Sequence, residues 1–445
     1  KVVVDIALDR EFDYRVPEHL RGRISVGSRV AVPFGRTKRS GYVVALADRS
    51  DWADLKEVLG IAGKLPLLIP EILKLARWIA EYYCAPVESA IRTVLPGAVR
   101  RKDAGFKECL YAFRVEGGGA SVDMEKLKKR AKSQAAALDL VAGRAEGVPL
   151  AELAATAGVG ASAVKALEKK GLVRIAALTV GRNPFAGREI LRTQPQTPTS
   201  EQAAALELIG KSIDTLQPRV VLLNGVTGSG KTEVYLQAIA HAMAAGKGAI
   251  VLVPEISLTP QTVERFRARF GDDIAVLHSH LSDGERHDEW YRIREGKARI
   301  VIGARSAVFA PVEKPGIIVV DEEHDTSYKQ DESPRYNARD VAVMRGRMQG
   351  CAVLLGSATP SLESYHNALS GKYSMAALTA RVDNRRMPAV RIVDMRIGAG
   401  PGGRAGAFSK DLIEAIRARL DRAEQTILFL NRRGFATSLV CPKCG

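Results

Sequence analysis

The sequence predicts a multidomain α/β protein: a small N-terminal β-barrel-like domain, a winged-helix domain, and a parallel sheet covered by helices on both faces. Three observations carry this. From residue 219 onward, continuous apolar runs at 220–223, 250–253, 274–277, 300–302, 317–320 and 353–355 alternate with helical or loop stretches. Strands apolar on both faces and separated by helices build a doubly covered parallel sheet. Over residues 1–98, short β-rich pieces (2–4, 12–16, 29–32 and 41–45) are punctuated by Pro17, Gly27, Pro33 and Gly35, as in a small open barrel or sandwich. Between 133 and 175, an Ala-rich helical stretch leads to two short helices broken at Gly158 and a strand after Gly171. That is the outline of a winged helix-turn-helix, or of a helical packing module that touches no nucleic acid.

The elements follow in order. Residues 1–98 form the first domain, closed by a helix whose apolar positions Ile69, Ile72, Leu73, Leu75, Ala76, Ile79 and Ala80 recur near helical period. Residues 99–180 hold the winged helix. Residues 181–200, with Asn183-Pro184, Gln194-Pro195 and Thr197-Pro198, read as a linker. The parallel sheet occupies 201–397, and the Gly-rich stretch 398–407 reads as a second linker. A helix over 410–420 and a strand over 427–430 are expected in 408–445.

Composition limits the function. The chain has 445 residues, with 66 Lys and Arg against 50 Asp and Glu, for a net charge of +16. That surplus favours a polyanionic partner such as nucleic acid. No apolar run approaches the ~18 residues of a membrane span, so no membrane partner is expected. The start, Lys1-Val2-Val3-Val4-Asp5, lacks a signal-peptide pattern. Five cysteines cannot make a disulfide scaffold, and a cytoplasmic protein is expected.

Three motifs carry chemistry. Gly225-Val-Thr-Gly-Ser-Gly-Lys231-Thr232 follows a buried strand and opens a helix, the context of a phosphate-binding loop. Its glycines let backbone N–H groups turn toward phosphate, Lys231 reaches the terminal phosphates and the Thr232 hydroxyl binds Mg²⁺. Asp321-Glu322-Glu323-His324 ends the strand at 317–320. Beside a phosphate loop, Asp321 can hold Mg²⁺ through its water shell and Glu322 can deprotonate the attacking water. Gly356-Ser357-Ala358-Thr359-Pro360 ends another strand, where Ser357 and Thr359 can link the phosphate site to a neighbouring surface. Taken alone, it reads as a tight turn with capping hydroxyls.

These motifs, with the blocks at 225–235, 253–261, 303–309, 321–330 and 430–435, resemble superfamily 2 helicases. More narrowly, they resemble the PriA family (primosomal protein N′) of replication-restart helicases. The resemblance implies a RecA-like motor lobe at 201–397, and at 408–445 the start of a second lobe with an incomplete zinc-binding region. It implies an ATP-dependent 3′→5′ DNA helicase that recognises stalled or abandoned replication forks and initiates primosome assembly. The cofactors would be ATP or ADP and Mg²⁺. The partners would be branched and single-stranded DNA with a free 3′ end, single-strand-binding protein and primosome components.

Residue by residue, the resemblance makes Gln202 the adenine contact. It sets Gly225, Thr227, Gly228, Ser229, Gly230, Lys231, Thr232 and Glu233 around the nucleotide, and assigns catalysis to Lys231, Glu322 and His324, with His324 coupling hydrolysis to DNA. Arg305 and Ser306 would contact DNA. So would an aromatic-rich loop with Tyr328, Lys329, Arg335, Tyr336 and Arg339, in which Tyr rings stack on bases and cations neutralise phosphates. Asn337 stands where many relatives carry His. Phe12, Asp13, Tyr14, Gly35 and Lys56 would form a pocket for a DNA 3′ end, although residue chemistry alone makes Phe12 and Tyr14 core. Cys441 and Cys444 supply two of the four ligands a structural zinc needs, so tight zinc binding is not expected. Ending at Gly445, the chain lacks the second lobe's arginine, and weak or absent hydrolysis is expected. A rival reading is a non-catalytic, nucleotide-responsive DNA-binding scaffold.

Overall fold

A computed structural model describes residues 1–6, 8–63, 65–100, 107–115, 129–144, 146–157, 160–180, 182, 191–215, 220–383, 389–394 and 408–429. The first strands are β1 (Val2–Val4), β2 (Glu11–Phe12), β3 (Arg29–Phe34), β4 (Thr37–Val43) and β5 (Gly60–Ala62), in the antiparallel order β2-β1-β4-β3-β5. Beyond the edge strands, Arg15 N donates to Lys56 O at 2.9 Å and Val58 N to Arg15 O at 3.0 Å, which draws the two edges together. Val2, Val4, Val30, Val32, Val43 and Val58 fill a small core of their own.

Helices α1 (Pro70–Tyr82), α2 (Val87–Val94) and α3 (Gly97–Arg100) follow. Proline opens α1, where its missing N–H costs nothing, and the stripe Ile72, Leu75, Ala76 and Ile79 is buried. That stripe does not face the β domain alone. Leu75, Ile79 and Ile91 share one core with Trp290, Val308, Phe309 and Ala342 of the parallel-sheet region. The expected first domain therefore packs directly on the parallel-sheet region. Gly27 joins the β sheet to this layer: its carbonyl accepts from Leu67 N and Leu68 N at 3.0 and 3.2 Å. Its φ is +89°, and a Cβ there would lie 1.8 Å from Leu68 O, so only glycine fits.

The middle region contains β6 (Lys107–Arg114), α4 (Lys132–Ala142), β7 (Val148–Pro149), α5 (Leu150–Ala157), α6 (Ala161–Lys169) and β8 (Val173–Val180). Its sheet has the antiparallel order β7-β6-β8, and its core gathers Ala137, Leu138, Leu153, Leu167 and Val173. Gly158 lies outside the described residues, as do most of 181–190 and the Gly-rich linker at 398–407.

The parallel-sheet region begins with α7 (Ser200–Asp214), not with an extended linker end; Thr199 caps it in a reciprocal pair with Gln202. The strands are β9 (Val220–Gly225), β10 (Gly248–Leu252), β11 (Ile274–Leu277), β12 (Ile300–Gly303), β13 (Pro315–Asp321), β14 (Ala352–Ser357) and β15 (Ser374–Leu378). The helices are α8 (Lys231–Ala244), α9 (Pro260–Phe270), α10 (Asp283–Arg294), α11 (Ala338–Gln349) and α12 (Leu362–Leu369). All seven strands run parallel in the order β11-β12-β10-β13-β14-β9-β15. Alternate side chains feed the two faces: Leu222, Ile250 and Ile318 on one, Val221, Val251 and Val319 on the other. The six expected strands are present. The seventh, β15, has only one buried residue, Leu378, and no apolar run to announce it.

Residues 385–445 form a separate unit. Within it, α13 (Lys410–Leu420) is capped by Ser409, whose side chain accepts from Leu412 N at 3.1 Å. The expected strand at 427–430 does not form over 427–429. Among the described residues nothing pairs with that segment, and a strand without a ladder partner leaves its backbone to water.

Candidate active site and nucleic-acid interface

The sheet order places three loops side by side. Strand β14 lies between β9 and β13, so Ser357 pairs with Asn224 and Gly356 with Asp321. The phosphate loop, the Asp-Glu-Glu-His segment and the 356–360 turn therefore leave the carboxyl ends of three neighbouring strands together, where α/β sheets bind ligands.

Gly228 and Gly230 have φ of +83° and +81°, and a Cβ on Gly230 would meet Gln202 Nε2 at 2.4 Å. Glycine there is a steric requirement, and the loop delivers its N–H groups to the N-terminus of α8. Lys231 Nζ donates to Gly225 O at 2.9 Å and stands 3.9 Å from Glu322 Oε1. Ser229 Oγ is buried with no hydrogen-bond partner. Thr232 and Asp321 line one cavity of about 80 Å³ together with Ser257 and Arg265. A hydroxyl and a carboxylate converging beside a glycine cradle and a lysine are the donor set that Mg²⁺ and a nucleotide phosphate require, so the residues fit that group. Thr227 is exposed on the loop's outer side.

Burial pushes the Asp321 carboxyl above its ordinary value, while a 2.9 Å hydrogen bond from the Tyr235 hydroxyl pulls it back. Burial and the Asp321 charge drive the Tyr235 phenol up in turn. A Cβ on Gly356 would lie 1.8 Å from Tyr235 Oη, so the glycine makes room for this contact. Neither Tyr235 nor Gly356 was legible as a site residue; only the resemblance block that contains Tyr235 hinted at it. Glu322 adopts φ +44°, an uncommon backbone state for a non-glycine residue, which turns it out of the strand direction.

Glu323, which no motif argument singled out, is buried. It accepts from Ser361 N at 2.7 Å, Ser361 Oγ at 3.0 Å, Ser364 Oγ at 2.8 Å and Arg339 Nη1 at 3.3 Å. His324 Nδ1 lies 2.8 Å from Ser357 Oγ, which also accepts from Thr359 N at 2.9 Å.

Five of the expected site residues are engaged by protein partners or buried. Gln202 is 5% exposed, its Oε1 accepts from Thr199 N and its Nε2 donates to Ser229 O at 2.9 Å. Bonded at both ends, it braces the phosphate loop, with one N–H and one lone pair of the amide left over. Glu233 points away from the loop mouth and accepts from Arg269, Gln237 and Gln196 N, so it secures the 194–196 segment. Tyr328 and Tyr336, only 1% and 3% exposed, are core and cannot stack on bases; Tyr328 donates to Asp321 O at 2.7 Å. Arg339 is bound to Glu323, Asp340 and Ser361 and serves the motor's interior. Asn337 caps α11 by accepting from Arg339 N at 3.0 Å.

The other expected DNA contacts face solvent. Lys329, Arg335 and Ser306 are exposed. Arg305 Nη1 donates to Ser327 O at 3.2 Å and to Lys329 O, which fixes it at the rim. Arg305, Ser306 and Lys329 line a cleft of about 920 Å³ together with Arg92 and Arg100. Those two arginines were missed because they sit far away in sequence and reach the cleft only through the docking of α2 and α3.

The N-terminal candidates also converge. Phe12 packs edge-on against Phe34, ring centres 5.3 Å apart, and the Tyr14 hydroxyl donates to Pro33 O at 3.1 Å. Asp13 accepts from the Ser50 hydroxyl, and Lys56 Nζ lies 3.4 Å from Gly35 O. Trp52, more than half exposed, shares the Arg10 guanidinium with Phe12. Cys441 and Cys444 lie outside the described residues, and among the described residues no three His, Cys, Asp or Glu groups cluster as metal ligands. No helix there is long and apolar enough to cross a membrane.

Two family profiles match: a PriA 3′ DNA-binding domain over residues 1–96 and a DEAD/DEAH box helicase over 199–368. The replication restart protein PriA of Bacillus subtilis is 39% identical over the whole of this chain, which covers 63% of that protein. The Haemophilus influenzae and Chlamydia pneumoniae proteins of the same name are 38% and 37% identical, covered to 60% and 59%. The chain thus spans about three-fifths of the curated relatives it matches. A structure of RecG bound to a three-way DNA junction aligns at TM-score 0.32 and 23% identity, covering 45% of this chain and 26% of that one, a likeness too loose to bear weight. Matched along its full length by these relatives, with a 3′ DNA-binding domain ahead of a parallel α/β helicase lobe, the chain belongs to the PriA family of replication restart proteins.

Proposed function

We propose that this chain is the fork-recognising and nucleotide-binding part of an ATP-dependent 3′→5′ DNA helicase that restarts replication at stalled or abandoned forks. The observation that carries the reading is the convergence of Lys231, Thr232, Asp321, Glu322 and, through Ser357, His324 at the carboxyl ends of three neighbouring strands. Thr232 and Asp321 would hold Mg²⁺, which neutralises phosphate charge when bound. Lys231 exchanges its Gly225 carbonyl for phosphate, and Glu322 takes the proton of the attacking water. His324, Ser357 and Thr359 form a hydrogen-bonded relay toward the DNA-facing loop.

The cleft at Arg305, Ser306 and Lys329 is our candidate for the strand path, and Phe12, Asp13, Tyr14, Gly35 and Lys56 for the 3′-end pocket. The middle region is read as a winged helix, and the N-terminal sheet as barrel-like. Single-strand-binding protein and primosome components are proposed partners, and a cytoplasmic, nucleoid-associated location follows. Zinc binding belongs to the family resemblance alone.

The test is nucleotide binding and hydrolysis with and without a fork carrying a 3′-OH leading strand. Lys231→Ala should abolish nucleotide binding while lowering the thermal transition only by the loss of its Gly225 hydrogen bond, about 1 kcal/mol. Unchanged ADP affinity in that variant would overturn the reading.

A further inference from the structure

The segment after β15 closes over the phosphate loop. Val226 N donates to Leu378 O and Val382 N to Gly228 O, both at 3.0 Å, so two backbone hydrogen bonds dock 378–382 on the loop. Glu201 locks the same segment from α7, accepting from Thr379 N at 2.9 Å, from the Thr379 hydroxyl and from Ala380 N at 3.3 Å.

This docking sets Arg381 against Gly228. A Cβ on Gly228 would lie 2.9 Å from Arg381 Nε and 3.2 Å from Nη2, so the guanidinium occupies the space a side chain would take. Its Nε is buried and makes no hydrogen bond. Asp383 Oδ1 is 3.6 Å away, too far to satisfy that N–H, and the side chain as a whole is 26% exposed. A buried guanidinium N–H without an acceptor is costly, and the group that best relieves it is an anion. The adjoining loop is built to hold one.

Resting on the nucleotide reading above, we propose that Arg381 is a phosphate-binding residue of this site, its guanidinium turning from the flank of Gly228 onto the phosphate chain of a bound nucleotide. The contact would come from the strand end that closes lobe 1, independently of any group in a second lobe. It would also make the 378–382 segment respond to nucleotide, because the residue that binds phosphate is held by the same two backbone bonds that dock the segment.

The test uses the intact chain and a fluorescent ADP, displaced in turn by ADP, inorganic triphosphate and adenosine. Arg381→Ala should weaken ADP and triphosphate together by about tenfold, the scale of one charge-assisted hydrogen bond, and leave adenosine unchanged. Arg381→Lys should recover part of the loss, because it keeps the charge without the planar fork. Should R381A fail to fold, R381Q carries the same expected loss. Unchanged ADP affinity, or equal weakening of ADP and adenosine, overturns the assignment. Failure of the unaltered chain to bind ADP at all overturns the nucleotide reading itself.

Discussion

His324 and Ser357 meet across adjacent parallel strands, Nδ1 to Oγ at 2.8 Å, with the Ser357 hydroxyl also accepting from Thr359 N. The hydroxyl is fully buried at the end of β14, between the strand that leads to the phosphate loop and the strand that carries Asp321. A shift of His324 is therefore felt by both loops.

Ser357→Ala should leave ADP affinity within twofold of the original and reduce the DNA-stimulated component of hydrolysis by about tenfold, measured in a version with both lobes. The variant removes both hydrogen bonds of the buried hydroxyl, at about 1 kcal/mol each, so the thermal midpoint should fall modestly. Full DNA stimulation would dismiss the relay.

The raised carboxyl of Asp321 sets a pH dependence. Mg²⁺ must displace a proton from that group, so metal-dependent nucleotide affinity is complete above its pKa and falls as pH drops through it, at higher pH than an ordinary aspartate would give. Tyr235→Phe removes the hydrogen bond that stabilises the charge and should move the loss to still higher pH. In the metal-free chain, the buried charge costs stability above the raised pKa. Asp321→Asn should then raise the thermal midpoint at neutral pH and not in acid. A pH-independent Mg²⁺ titration would contradict the assignment.

Arg339 separates interior from interface. Arg339→Ala leaves Glu323 buried without its cation, an uncompensated charge worth about 3–5 kcal/mol, and should lower the thermal midpoint sharply. Exposed Lys329→Ala and Arg335→Ala should spare the fold and weaken single-strand affinity, each reducing the salt slope by about 0.7. The reverse pattern would return Arg339 to the DNA face.

The 3′-end pocket is best tested in the intact chain. Asp13→Ala should remove a preference for 3′-OH over 3′-phosphate ends worth about 1.5–3 kcal/mol, read by fluorescence anisotropy. An isolated 1–98 fragment should expose the stripe of α1 and associate, because Leu75 and Ile79 pack on the motor lobe. A monomeric, cooperatively folding fragment would show that the β domain retains those helices on its own.

Strand runs and motifs were legible because each is a local statement. An apolar run such as 317–320 declares a doubly buried strand, and glycines at 228 and 230 declare a backbone no other residue tolerates. Strand β15 escaped because Ser374, Met375, Ala376 and Ala377 sit at a half-exposed sheet edge, where no continuous apolar run is needed. The tyrosines of the 328–336 loop misled for a related reason: an aromatic-rich polar segment looks the same whether its rings face water or fold back onto Phe309.

By itself, then, the sequence determined the parallel sheet, the phosphate loop, the acidic strand end and the family. Those follow from periodicity and from the backbone freedom of a few residues. Only the tertiary structure decided that α1–α3 pack on the motor core, that Gln202 and Arg339 are tied to protein partners, and that Arg381 lies on Gly228. Each depends on which distant groups share a buried volume. Burial is what turns a charge or an amide from a solvated surface group into one that must find a partner.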